Sequence, residues 1–202
     1  MYRHRIHFPY SISMLVAYVK SIKELKDNFK FEKTFLFRDK IDTYIQECKD
    51  TDILICSCYV WNWEITKHLA KSVKEINPNC IIIFGGPHVP NQTEDFFNEH
   101  QYVDILVHGE GEIIFENILK AYLKDKDFSA VKGITTKEFK TESQPRIDDF
   151  SSLPSPYLTN TIWELVEKDP DVDYVASWET NRGCPYQCTF CDWGSSTATK
   201  MR

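Results

Sequence analysis

The sequence predicts an α/β protein built on a doubly wound parallel sheet, and three observations carry that expectation. Short continuous apolar runs have the composition of strands buried on both faces: Ile53-Leu54-Ile55-Cys56-Ser57-Cys58-Tyr59, Cys80 to Phe84, and Ile105-Leu106-Val107. Between them, apolar residues recur at helical spacing. Glycine then punctuates two strand ends, in Gly85-Gly86-Pro87 and in His108-Gly109-Glu110-Gly111-Glu112. Strands and helices alternating through short connections favour right-handed crossovers and a sheet covered on both faces.

The elements follow in order. Ile12, Leu15, Val16, Val19, Ile22 and Leu25 mark a first helix, and Thr34-Phe35-Leu36-Phe37-Arg38 reads as a strand. Ile41, Tyr44, Ile45 and Cys48 mark a short helix before the strand at Ile53. Ile65, Leu69, Val73 and Ile76 mark another, closed by Asn77-Pro78-Asn79 ahead of the strand at Cys80. Phe96 and Phe97 sit on a short helix. After the strand at Ile105, a helix runs through Ile113, Ile114, Ile118, Leu119 and Tyr122, and Val131 to Thr135 reads as an edge strand. The beginning is anomalous. A doubly wound sheet places a strand before its first helix, at the apolar centre, yet "YRHRIHF" carries Arg3, His4, Arg5 and His7. It reads as a solvated lead-in, with the central first strand weak or missing.

Composition narrows the function. The chain has 202 residues, with 24 Lys and Arg against 30 Asp and Glu for a formal charge of −6, so no basic footprint for nucleic acid is present. No apolar run is long enough for a membrane span and the first residues lack a signal peptide's apolar core, which makes the cytoplasm the default compartment. Neither G-x-G-x-x-G after the first strand nor G-x4-G-K-[ST] occurs, so nicotinamide dinucleotides and nucleoside triphosphates are poorly supported. In open α/β sheets ligands bind beyond the C-terminal strand ends, here the loops Ser57 to Asn62, Gly85 to Pro90 and His108 to Glu112.

From residue 138 to 171 the composition shifts toward Ser, Pro and Asp, and we read a linker that packs along the surface, with a short helix at Ile162 to Glu167. Residues 1–137 form the sheet domain, and residues 172–202 open a second unit in which "DYVASWET" is a strand delivering a cysteine loop. That loop, "RGCPYQCTFCDW", places Cys184, Cys188 and Cys191 at spacing C-x3-C-x2-C. Seven cysteines are an odd number without disulfide spacing. Thiolates are soft ligands that select zinc, copper(I) or an iron–sulfur cluster. Zinc would need a fourth, distant ligand. Three thiolates on a four-iron cluster leave one iron open, and the spacing favours that assignment.

Cys184-x3-Cys188-x2-Cys191, with Phe190 before the last cysteine and "NRGCPYQC" leading in, resembles the cluster loop of radical S-adenosylmethionine enzymes. The upstream segment, with "SCYVWNWE", "FGGPHVP" and "VHGEGE" at successive strand ends, resembles the Rossmann-like, flavodoxin-like cobalamin-binding domain fused to a large subgroup of them. The resemblance implies a 4Fe-4S cluster held by Cys184, Cys188 and Cys191. S-adenosylmethionine would chelate the open iron and be cleaved to a 5′-deoxyadenosyl radical that abstracts hydrogen from a small-molecule substrate. It implies an electron donor such as flavodoxin or ferredoxin. Phe190 would pack beside the cluster with its backbone near the adenine. Tyr10, Ser11, Ser57, Tyr59, Val60, Trp61, Gly85, Gly86, Pro87, His88, His108, Gly109, Glu110, Gly111 and Glu112 would line the corrinoid face. The chain has no D-x-H-x2-G signature, so cobalamin would bind without a histidine on cobalt.

Several of these residues have plain structural explanations too. Carboxylates at Glu110 and Glu112 suit a helix N-terminus regardless of ligand, Trp61 and Trp63 start a helix, and His88 and His108 are loop histidines. Cys56, Cys58 and Cys80 lie in apolar strands as buried thiols, and Cys48 is unremarkable. In the family, a partial or full (β/α) barrel follows the cluster loop, whereas eleven residues follow Cys191 here. We therefore expect the N-terminal part of an enzyme, the first strand and loop of a truncated barrel, inactive without a C-terminal complement. The alternative is a cobalamin- or metal-binding module acting as carrier, sensor or partner subunit.

Overall fold

A computed structural model describes residues 4–93, 95–184, 186 and 188–190. Its central sheet holds β2 (Ile53–Ser57), β3 (Ile81–Gly85), β4 (Ile105–Val107) and β5 (Ile134–Thr135) in that order. β2, β3 and β4 run parallel, with Ile53 opposite Ile81 and Ser57 opposite Gly85. β5 pairs antiparallel with β4, so the expected edge strand is present but reversed. Its Thr135 is further bridged to Lys140, which turns the chain back along the margin.

Both faces of the sheet are covered, as apolar strands without a polar face require. On one face α3 (Ile41–Glu47), α4 (Trp63–Ile76) and α5 (Phe96–Glu99) deliver Tyr44, Ile45, Leu69, Val73 and Phe96 onto Leu54, Cys56, Ile82, Phe84 and Leu106. α4 does so because Thr66, Leu69, Ala70 and Val73 fall on one stripe while Glu64, His68 and Lys71 face outward. On the other face α1 (Tyr10–Lys20), α2 (Lys23–Asn28) and α6 (Gly111–Lys124) bring Val19, Leu25, Ile114, Phe115, Ile118 and Leu119 against Ile83 and Ile105 and the half-buried Ile53 and Ile55. Each fully buried Ile, Leu or Phe contributes roughly 1.5–3 kcal/mol.

Two expectations fail, each for a physical reason. Thr34 to Arg38 is not a strand. The segment instead lies beside α7 (Thr161–Leu165), where Thr34 donates through N and Oγ1 to the Leu165 carbonyl at 2.8 and 3.0 Å. Its aromatics are claimed by packing: Phe35 stacks on Tyr44 at 4.2 Å, and Phe35 and Phe37 cover the core edge. The N-terminal segment is a strand and not an irregular lead-in, although Arg5 and His7 stay exposed. His4–His7 forms β1, which pairs in parallel with β6 (Val172–Val175) in a separate two-stranded sheet. The central sheet accordingly contains no strand from before α1 among the described residues. Aromatic contacts hold the small sheet, since Phe8 stacks on Tyr174 at 5.2 Å and meets the edge of Trp163 at 5.0 Å. The first helix also breaks in two at Ser21 and Ile22. No helix among the described residues is long and apolar enough to cross a membrane.

Phe84, fully buried and edge-on to Trp63 at 5.6 Å, sits where β3 meets α4. Phe84→Ala is expected to lower the unfolding free energy by about 3–5 kcal/mol, read from urea titration. A loss below about 1 kcal/mol would show that this face is not close-packed.

Candidate functional site

The parallel register brings the ends of β2, β3 and β4 to one edge of the sheet, and the loops beyond β2 and β3 are stitched together. Cys58 N donates to the Gly85 carbonyl at 2.6 Å, His88 N to the Cys58 carbonyl at 3.2 Å, and Val89 N to the Gly86 carbonyl at 3.2 Å. Gly86 has φ 106°, and a Cβ there would lie 2.8 Å from the Cys58 oxygen, so the close approach of the two loops requires glycine. Asn62 locks the first loop from within: its Oδ1 accepts from Tyr59 N and its Nδ2 donates to the Ser57 carbonyl, both at 2.8 Å. From the sequence Asn62 was only the end of this loop, and its side chain bonds the loop and does not cap α4.

The expected corrinoid-facing residues divide into two groups. Ser57, Tyr59, Val60, Trp61, Gly85, Gly86, Pro87, His88 and Gly109 share this edge. Val60 is 69 % and Trp61 66 % exposed, and Tyr59 stacks on Trp61 at 4.6 Å. Trp61 thus belongs to the loop, whereas Trp63 opens α4 and packs inward. Ser11 joins the edge from α1, its hydroxyl 3.1 Å from that of Ser57. Gly109 has φ 91° with open space where a side chain would stand. This edge is partly aromatic and exposes backbone at Gly86 and Gly109.

The second group is engaged within the chain. Tyr10 stacks on Tyr157 at 6.1 Å and meets the Glu179 backbone, with burial as the main cause of its raised pKa. His108 turns away from the strand ends, its Nε2 2.9 Å from Thr135 Oγ1. Burial, and then the Lys140 charge, lowers its pKa. Gly111 opens α6 against Leu15. The Glu110 carboxylate accepts from Arg146 Nε at 3.1 Å and Ile147 N at 2.6 Å. Glu112, buried, accepts two bonds from Arg182, at 3.1 and 2.5 Å. Both glutamates are therefore counter-ions for arginines from the later chain, which the helix dipole by itself did not reveal. Burial opposes the Arg182 charge, but the Glu112 bonds outweigh it and raise its pKa.

The cysteine loop lies beyond Arg182. Cys184 is half-buried, Cys188 is exposed and Phe190 is 91 % exposed; Cys191 lies outside the described residues. Trp178 and Tyr186 are exposed on the same stretch. The other thiols are of a different kind. Burial pushes Cys48 up to about 11 and Cys58 and Cys80 up to about 12, and it also holds Cys56 well above the ordinary thiol range. These remain protonated packing groups, whereas the loop thiols can present themselves to a soft metal centre.

The family described as B12 binding domain matches residues 12–119, more than half of the chain. The chain belongs to the B12-binding domain family. The matched segment contains the stitched strand-end loops. The chain is also 38 % identical over 202 residues to the 2-(S-pantetheinyl)-carbapenam-3-carboxylate methyltransferase of Streptantibioticus cattleyicolor. It is 36 % identical over 204 residues to the cobalamin-dependent radical SAM methyltransferase TokK of Streptomyces tokunonensis. Each alignment covers 96 % of this chain, which spans 30 % of the length of either relative. In fold, it is similar to TsrM of Kitasatospora setae, a radical S-adenosylmethionine methyltransferase whose structure has cobalamin and a [4Fe-4S] cluster bound. The TM-score is 0.65 at 14 % identity, covering 100 % of this chain and 43 % of that one. These likenesses bear out the family resemblance and the Rossmann-like fold class expected from the sequence.

A lowered His108 pKa means that the unfolded chain binds more protons than the B12-binding domain as pH falls below the ordinary histidine value of about 6.5. The neutral imidazole's contribution is present above that value and is lost as pH falls through the folded pKa. Stability should therefore drop less between pH 7 and pH 5 in His108→Gln than in the wild type, measured by urea midpoints. An equal drop in both would show that His108 is not held neutral.

Proposed function

We propose that this chain supplies the cobalamin-binding and cluster-binding parts of a cobalamin-dependent radical S-adenosylmethionine methyltransferase acting on a small molecule. One observation carries the reading: a B12-binding domain and a C-x3-C-x2-C loop occur together in a chain similar, over 96 % of its length, to two methyltransferases, one named as cobalamin-dependent and radical SAM. The donor chemistry supports it. Cys184, Cys188 and Cys191 would hold the 4Fe-4S cluster as soft ligands and leave one iron for S-adenosylmethionine. Gly86, Gly109, Tyr59 and Trp61 would present backbone and aromatic surface to the corrin. Bound, the cluster would supply the electron that cleaves S-adenosylmethionine and cobalamin would carry the methyl group.

This chain's own residues contribute placement. Asn62 and the Cys58–Gly85 bond set the height of the corrinoid loops. His108, bonded at Nε2 to Thr135, is turned from the strand ends, in keeping with cobalamin bound without histidine from that loop. Trp178, Tyr186 and Phe190 would be covered by a C-terminal complement, and an external flavodoxin or ferredoxin would deliver the electron.

Anaerobic iron–sulfide reconstitution followed by absorption and paramagnetic resonance tests the cluster. A four-iron signal that shifts on adding S-adenosylmethionine, and is absent from the Cys184/Cys188/Cys191→Ala variant, is expected. A cluster that survives those substitutions would sink the assignment. Hydroxocobalamin titration tests the other site. Trp61→Ala should weaken binding by about 2- to 12-fold, the loss of one aromatic contact, and wild-type protein that leaves the corrinoid spectrum unchanged would refute cobalamin binding.

A further inference from the structure

We infer that Arg182 and Glu112 form a positioning latch through which the corrinoid-side loop after β4 and the cysteine loop respond to one another, so that filling one site changes the affinity of the other. The inference rests on the two cofactor sites assigned under Proposed function. It adds a thermodynamic link between them.

The geometry is a closed circuit. Glu112 is the second residue of α6, three positions beyond Gly109, whose backbone borders the open edge of the sheet. Its side chain is 4 % exposed and that of Arg182 15 %. Arg182 Nη1 and Nη2 both bond the Glu112 carboxylate, at 3.1 and 2.5 Å. A planar fork on a carboxylate is directional, so it cannot shift along either partner without losing a bond. Arg182 is fixed on its other sides as well: Nε bonds Glu179 at 2.9 Å, and the guanidinium lies 5.2 Å over the Phe150 ring. The circuit returns through Arg146, which bonds Glu110 by Nε at 3.1 Å and the Arg182 carbonyl by Nη2 at 3.4 Å.

Two consequences follow. Glu110 and Glu112 flank the N-terminus of α6, so a ligand that displaces the Gly109 loop moves both carboxylates together. Arg182 stands two residues before Cys184, with Gly183 at φ 100° between them, so its position sets where the first thiol emerges. Because the pair is nearly dry, the strain of a displaced loop is not relaxed by water, and it is carried to the cysteine loop instead. A simple brace would hold the two units together without making their affinities depend on each other.

Hydroxocobalamin affinity of the full chain, measured by absorption with and without the reconstituted cluster, distinguishes these cases in wild type, Arg182→Lys and the double variant Glu112→Gln/Arg182→Met. The double variant removes both charges, so no buried ion is left uncompensated. Wild-type affinity should differ by about fivefold or more between the two cluster states, and that difference should vanish in the double variant. Arg182→Lys, charged but without the fork, should show an intermediate difference. Hydrogen exchange of the Thr180–Cys184 amides should slow on adding cobalamin in wild type and stay unchanged in the double variant. Binding of both cofactors with equal affinities in the two states, or coupling that persists in the double variant, overturns the latch and leaves the proposed function standing. Full wild-type coupling in Arg182→Lys also overturns it, even if the double variant fails to fold. Wild-type protein that binds no cobalamin overturns the proposed function and the latch with it.

Discussion

The alignment of Ser57 with Gly85 in the parallel ladder is the constraint on which the rest of the site depends. Parallel strands in this register end together, so the chain must leave the sheet at one level and each departing loop meets its neighbour. The hydrogen bonds from Cys58 to Gly85 and from His88 to Cys58 follow from that alignment. A slip of one residue would turn Leu54, Cys56, Ile82 and Phe84 from one packed face to the other and separate the loops. The apolar core thus fixes the functional edge as well as the stability.

The second unit is attached by different physics. The central domain is held by area, through Ile, Leu, Val and Phe packed from both sides of the sheet. The cysteine loop is held by a few directional contacts: the Arg182–Glu112 fork, the Arg146–Glu110 pair, the Tyr157 hydroxyl on the Ser177 carbonyl at 2.7 Å, and the β1–β6 ladder. Directional contacts position a segment without demanding a large buried surface, and Cys188 on this loop is accordingly exposed. The exposed Trp178, Tyr186 and Phe190 lie on that outward side.

Where local patterning and tertiary demand coincide, the sequence could be read directly. The runs at Ile53, Cys80 and Ile105 became β2, β3 and β4, and the periods at Ile65 and Ile113 became α4 and α6, because strands buried on both faces and amphipathic helices leave one pattern each. Thr34 to Arg38 misled because aromatic, β-prone residues satisfy helix packing as well as strand pairing, and Leu165 offered the partner for Thr34. His4–His7 misled in the opposite direction. Its charge marked the exposed Arg5 and His7 but hid the strand, because an outer two-stranded sheet tolerates polar residues that a central strand does not. Among the strand-end residues, Gly86 was marked by turn chemistry and Trp61 by its loop position, whereas the bonds of Asn62 within its loop and of His108 to Thr135 had no local signature.

By itself the sequence determined the fold class, the order of strands and helices in the central sheet and the close spacing of three cysteines. These depend on periodicity and on residues close together in the chain. Only the tertiary structure decided that Glu112 meets Arg182 seventy positions away, that Glu110 serves Arg146, and that the N-terminal strand leaves the central sheet for β6. Such pairings leave no local signature, because an acidic helix N-terminus and a basic residue before a cysteine are each acceptable alone, and only folding brings them within hydrogen-bonding distance.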